Sequence, residues 1–128
     1  MQRCRSGQAL IILLVFVATA TIIAAAAVTV TIINSQSTGK LAQGQEALAV
    51  GEAGAENAIQ RIIRDPAGAY TGENNTPAGI GTFTIAISNS GTTKTITSTG
   101  TVGAFIRKIQ VQGTFSLDKF TLSSWQEI

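Results

Sequence analysis

The chain contains no histidine, one cysteine, two prolines, and only nine basic and seven acidic residues among 128. Each shortage excludes something. Without histidine there is no Ser-His or Cys-His pair, and the commonest neutral general base and metal ligand is missing. The single cysteine, Cys4, cannot form an intrachain disulfide, and it precedes the longest apolar run instead of following it as a lipoprotein cysteine would. We expect Cys4 to be inert. No P-loop and no convergent acid pair occur, so no catalytic constellation is present, and nothing implies an enzyme, a cofactor or a metal. A carboxylate site at Glu52 and Glu56, or a calcium site at Glu73 with Asn74 and Asn75, has too few ligands.

A basic surface is lacking too. The formal net charge of +2 resides in Arg3 and Arg5, because the remaining seven basic residues face seven acidic ones. Lys94, Arg107, Lys108 and Lys119 are scattered and stand against Asp118 and Glu127. Nucleic-acid binding is therefore not supported.

What the chain does have is a long uncharged run. Residues 9–33, ALIILLVFVATATIIAAAAVTVTII, carry no ionisable side chain. As a helix the run measures roughly 37 Å, enough to cross a hydrocarbon core about 30 Å thick with tilt to spare. Its Val/Thr/Ile-rich second half has poor helix propensity. In lipid it is nevertheless forced helical, because every backbone N–H needs an internal partner. Thr19, Thr21, Thr29 and Thr31 can bond to carbonyls of the preceding turn. The reading is a membrane anchor, oriented N-in by Arg3 and Arg5. A secretory signal peptide fits poorly, since its apolar region is shorter and is followed by a small-residue cleavage site.

Residues 34–39, NSQSTG, mark the exit into water, and Lys40 is the first charge. A helical pattern then resumes through Leu41, Leu48, Ala55, Ile59 and Ile62/Ile63, and Asp65-Pro66 supplies the stop. Gly44, Ala47, Gly51, Gly54 and Ala58 share one side of this segment and form a smooth ridge. Either another backbone (a partner subunit or the chain's own sheet) approaches closely there, or the helix is locally loosened. Glu52, Glu56, Gln60, Arg61 and Arg64 read as a solvated face, with Glu56–Gln60 and Gln60–Arg64 at i,i+4 spacing.

Residues 65–80 read as a loop joining helix to sheet, with a sequon at Asn74-Asn75-Thr76. Residues 81–128 read as an antiparallel meander followed by a C-terminal tail. Phe83, Ile85 and Ile87 alternate with Thr82, Thr84 and Ser88, and Asn89-Ser90-Gly91 signals a hairpin. A threonine-rich second strand runs from Thr92 to Val102, turned at Gly100 to Gly103. A third presents Phe105, Ile109, Val111 and Phe115 on one face. A sheet with one apolar face needs cover, and the amphipathic helix is the nearest available. The expected fold is α+β, a long N-terminal helix whose second half packs on a small antiparallel sheet. Leu48, Ile59, Ile62, Phe83, Ile85, Ile109, Val111 and Phe115 would form its core. The tail, FTLSSWQEI, adds either an edge strand or a subunit contact.

Two motifs carry a family resemblance. The leader MQRCRSG, followed by Gln8 and ALIILLVF, resembles the class III leader of type IV pilin precursors, and RSGQAL is similar to the R-x-G-x-A-L start of PilX-like minor pilins. Residues 47–56, ALAVGEAGAE, look like the A-x-x-A-E-A-G-x-E signature of the same group, with Gly51 in place of an alanine. Major pilins usually begin their mature chain with Phe or Met and have Glu fifth; here those positions hold Gln8 and Ile12.

The resemblance covers half the chain and implies a pilin-like fold. It implies cleavage between Gly7 and Gln8 by a prepilin peptidase, so that residues 1–7 are a leader and residues 8–33 the spanning and filament-core half of the helix. Residues 34–64 are then its amphipathic half. It further implies insertion in the inner membrane with the N-terminus cytoplasmic, methylation of the new N-terminus, and assembly with copies of itself or other pilins into an extracellular filament. Pilus assembly machinery is the implied partner, and Ile12, Phe16, Gly44, Gly51 and Gly54 are the implied filament-packing residues. The competing expectation is a single-pass anchored domain, facing outward, that binds a ligand and never polymerises.

Overall fold

A computed structural model describes residues 5–65, 68–117 and 119–128, with side chains from Gly7 onward. Arg3, Cys4, Pro66 and Asp118 lie outside the described residues. The chain divides into two compact units, Met1–Gly39 and Lys40–Ile128. One α-helix, α1 (Arg5–Arg64), runs through both.

In the first unit the uncharged run is helical and its side chains face outward. The Thr hydroxyls donate to the preceding turn: Thr19 to the Val15 carbonyl at 3.0 Å, Thr21 to Ala18 at 2.8 Å, and Thr29 and Thr31 to Ala25 and Ala27 at 2.9 Å. Thus the only polar side chains in the run are spent on their own helix. By length and composition, with a peak mean hydropathy of 2.8, this helix can cross a membrane.

The second unit is α+β: the later part of α1 packs against a five-stranded antiparallel sheet. The strands are β1 (Gly72–Ala78), β2 (Gly81–Ser90), β3 (Thr93–Val102), β4 (Phe105–Ser116) and β5 (Lys119–Glu127), in spatial order β1-β2-β3-β4-β5. It is a plain meander, in which two residues separate each strand from the next. At Gly79, Gly91 and Gly103 the first loop residue has φ of 59°, 60° and 57°, the positive value that tight hairpins demand and glycine supplies without strain.

The alternation expected for β2 and β4 is present: Phe83, Ile85, Ile109 and Val111 are buried on the helix-facing side. The opposite face carries Thr82 and Thr84 paired with Thr101 and Thr99, polar and uncharged. Ile62 joins the core, while Leu48, Ile59 and Phe115 pack partly buried at its margin. Leu41 and Ile63, part of the expected apolar stripe, are exposed instead.

Three boundaries differ from expectation. The 65–80 loop contains strand β1. Its sequence, GENNTPA, has no apolar alternation to read, and the strand is held by backbone pairing to β2. Pro77 is tolerated because β1 is an edge strand, and a bulge between Glu73 and Thr76 admits Asn75 at φ 49°. The first expected turn shifts by one residue, since Asn89 and Ser90 finish β2 and the turn is Gly91-Thr92. The second expected strand, β3, ends at Val102 as expected, but Gly100 lies within it and the turn itself is Gly103-Ala104. The tail is an edge strand, β5, whose Phe120 ring covers the flat spot left by Gly113.

Candidate interaction surfaces

The smooth ridge on α1 has a partner within the chain. Gly44, Gly51 and Gly54 are all buried, and a methyl added at Gly54 would sit 2.8 Å from the Phe83 ring and hard against the Ser98 hydroxyl. At Gly100 an added methyl would strike the Ala47 carbonyl and the Gly51 backbone. Helix and central strand therefore meet backbone to backbone, and Ser98 Oγ donates to the Gly51 carbonyl at 2.7 Å. The resemblance implies filament packing for Gly44, Gly51 and Gly54; within the chain the bare faces of Gly51 and Gly54 meet β3, β4 and Phe83. Gly44 is covered by the Arg107 guanidinium, 3.5 Å from where its methyl would be.

The other residues singled out from the sequence are on the outside. Gly7 and Gln8 lie exposed in the first turns of α1, and Gly7 has open space about it. Ile12 and Phe16 stand in an apolar surface that continues through Leu10, Leu13, Leu14 and Val17 without a polar interruption. In water such a surface is untenable, whereas lipid or other copies of the same helix would cover it.

Ala47, Ala55 and Ala58, read from the sequence as ridge and stripe, are buried in the core. Val50, Ile96 and Val102 are buried too and escaped the sequence reading; Ile96, fully enclosed, stands at the centre. The signal was there in the alternation of Ile96, Ser98, Gly100 and Val102, but the small polar and glycine members diluted it.

A polar cluster forms beside the helix C-terminus. Arg61 Nε lies 2.7 Å from Glu73 Oε1, and the guanidinium sits 5.6 Å above the Tyr70 ring. Glu73 also accepts from Thr76 Oγ1 at 2.9 Å. So Arg61 reaches across to β1, while its Nε also donates at 3.5 Å to Asn57 Oδ1, one turn back on the same helix. The Tyr70 hydroxyl is enclosed, with no hydrogen-bond partner among the described residues. Burial, reinforced by the Glu73 carboxylate, pushes its pKa up to about 12. At neutral pH it is a fully protonated phenol, neither base nor nucleophile. A second ion pair, Arg107 Nη1 to Glu127 Oε1 at 2.9 Å, ties β4 to β5 at the surface.

Compared with protein-family models, curated proteins and solved structures, the chain matches none.

Proposed function

We propose that this chain is a subunit of a type IV pilus-like filament, made as an inner-membrane precursor with its N-terminus in the cytoplasm. A prepilin peptidase cuts it between Gly7 and Gln8, and it polymerises through the first half of α1. The observation that carries this reading is the division of one continuous helix. From Ala9 to Ile33 its side chains are exposed and, four threonines apart, apolar, and beyond Lys40 one of its faces is buried on a sheet through glycine and alanine. A helix so divided suits a subunit that waits in a bilayer and then exchanges lipid for neighbouring helices, with the sheet outside. The leader and the ALAVGEAGAE segment, similar to those of PilX-like minor pilins, support it independently. With Gly44, Gly51 and Gly54 occupied inside the subunit, packing falls to the surface around Ile12 and Phe16.

The function is then mechanical or adhesive and belongs to the assembly. Ile12 at the fifth mature position, where a carboxylate would meet the neighbouring amine, favours one competing reading, a monomeric anchored domain. Mass spectrometry of the native N-terminus separates the two. A chain beginning at methylated Gln8 is expected, and Gly7→Ala should abolish processing and surface assembly. A chain beginning at Met1 in purified surface material overturns the proposal.

A further inference from the structure

One end of the second unit is built differently from the rest of its surface. Gly44 lies against Arg107, and Gly51 against the Gly100 and Arg107 backbone. The segment at Lys40 and Leu41 is therefore at the end of the sheet where β3 turns into β4. The β1–β2 turn is at that same end, because Thr82 pairs with Thr101 and Val102 with Phe105.

Large apolar side chains project there. Leu41 is 67 % exposed, Ile80 72 % and Ile106 60 %. Ile80 occupies the second position of a two-residue turn, where Gly, Asn, Asp or Ser would be usual. Ile128, whose N–H donates to the Lys108 carbonyl at 2.9 Å, adds another exposed apolar side chain. Lys40 and Lys108 stand exposed among these residues, and among the described residues neither joins an ion pair. Arg107 beside them is neutralised by Glu127. Glu46, the nearest other acid in sequence, lies more than a helical turn beyond Lys40.

We propose that this rim docks on the headgroup layer of an anionic bilayer, with Leu41, Ile80 and Ile106 entering the acyl boundary and Lys40 and Lys108 meeting lipid phosphates. Exposed apolar tips flanked by unpaired cations are the chemistry of interfacial membrane binding. Chain continuity keeps the rim close to lipid. Only the uncharged NSQSTG segment separates Ile33 from Lys40, and its helical rise of about 9 Å is comparable to a headgroup layer of roughly 5–7 Å. The inference rests on the anchoring part of the proposed function and not on polymerisation. It describes how the subunit is held before assembly.

The test uses the full chain carrying Cys4→Ser, reconstituted in vesicles of phosphatidylcholine alone or mixed with phosphatidylglycerol. Single nitroxide labels are placed through Ile80→Cys, Ile106→Cys, Phe16→Cys in the apolar run, and Thr92→Cys at the opposite end of the sheet. Collisions with oxygen and with a water-soluble nickel chelate report depth. In anionic vesicles the labels at 80 and 106 should lose several-fold in nickel collisions relative to 92, with oxygen collisions rising. Lys40→Gln with Lys108→Gln should restore the nickel collisions. If the label at 16 is in lipid while 80 and 106 remain aqueous, this inference fails and the anchor stands. An aqueous label at 16 overturns both. Nickel protection without an oxygen gain, growing with the protein-to-lipid ratio, overturns it in favour of contact with a second copy.

Discussion

Ser98 on the central strand donates its hydroxyl proton to the Gly51 carbonyl in α1, across 2.7 Å of fully buried space. The bond exists because Gly51 and Gly100 bring the two backbones together. Ser98→Ala removes the only buried polar side chain among the described residues and leaves Gly51 its helical partner. We expect a loss of about 1 kcal/mol in urea unfolding monitored through Trp125, with no change in slope.

The same substitution should act with opposite sign at two glycines of α1. Gly39 has nothing within 4 Å, so Gly39→Ala gains helix propensity, up to about 1 kcal/mol, and should slow amide exchange around residues 36–42. Gly54→Ala gains the same propensity but places its methyl against Phe83 and Ser98. Overpacking of that kind costs about 1–3 kcal/mol, so the net effect is destabilising by thermal unfolding. Equal effects at both positions would mean that the ridge is not a seam.

The contrast marks how far the sequence could be read. The apolar run of α1 was legible as a helix long and apolar enough to cross a membrane, because no charge interrupts it. Strands β2 and β4 were legible because Phe83/Ile85 and Ile109/Val111 alternate with polar residues. The ridge could be seen as smooth, but its partner could not, since Gly100 is remote in sequence and itself has no side chain to advertise a contact. Strand β1 was hidden for a related reason. It is specified by backbone pairing and by a turn at Gly79, while Glu73, Asn74, Asn75 and Pro77 individually argue for a loop. As for the candidate site, Ile12 and Phe16 were named by the family resemblance, within a run whose lack of charge was legible, whereas the exposed rim of Leu41, Ile80 and Ile106 is assembled from three separate segments and emerges only in three dimensions.

Leu117 occupies the hairpin position that glycine fills in the other three turns, with φ 50° and its side chain 97 % exposed. A left-handed conformation costs a branched residue roughly 1–2 kcal/mol, and glycine gives part of that back as unfolded-state entropy. Leu117→Gly should therefore stabilise the second unit by about 0.5–1 kcal/mol, read as a higher Tm. A lower Tm would show that Leu117 makes a stabilising contact.

The two ion pairs should differ in what they contribute. Arg107 and Glu127 are both about half exposed, so Arg107→Gln should cost no more than about 1 kcal/mol, a loss that added salt diminishes. Glu73 is 15 % exposed and serves Arg61 and Thr76 together. Glu73→Gln should cost more than Arg107→Gln and depend less on salt, with β1 amides exchanging faster than those of β3. Equal costs would show that burying the Glu73 carboxylate makes its pair no better than a surface one.

Tyr70 sets the behaviour at high pH. Its folded-state pKa, about 12, exceeds the ordinary value of 10.0 because burial and the Glu73 carboxylate disfavour the phenolate. The unfolded chain therefore releases this proton first. Between pH 10 and 12 the folded state holds more protons than the unfolded state, so stability falls as pH rises through that window. Below pH 10 both states keep the proton, and the contribution is fully present and flat. Ultraviolet titration of the phenol should show one ionisation well above the ordinary tyrosine range in folded protein, returning to about 10 in urea. Tyr70→Phe should remove that group's contribution to the alkaline slope. At neutral pH it should cost little, because among the described residues the Tyr70 hydroxyl finds no hydrogen-bond partner that phenylalanine would forfeit. An ordinary Tyr70 titration in the folded state would show that its hydroxyl is hydrated and that the Arg61–Glu73 cluster is open to water.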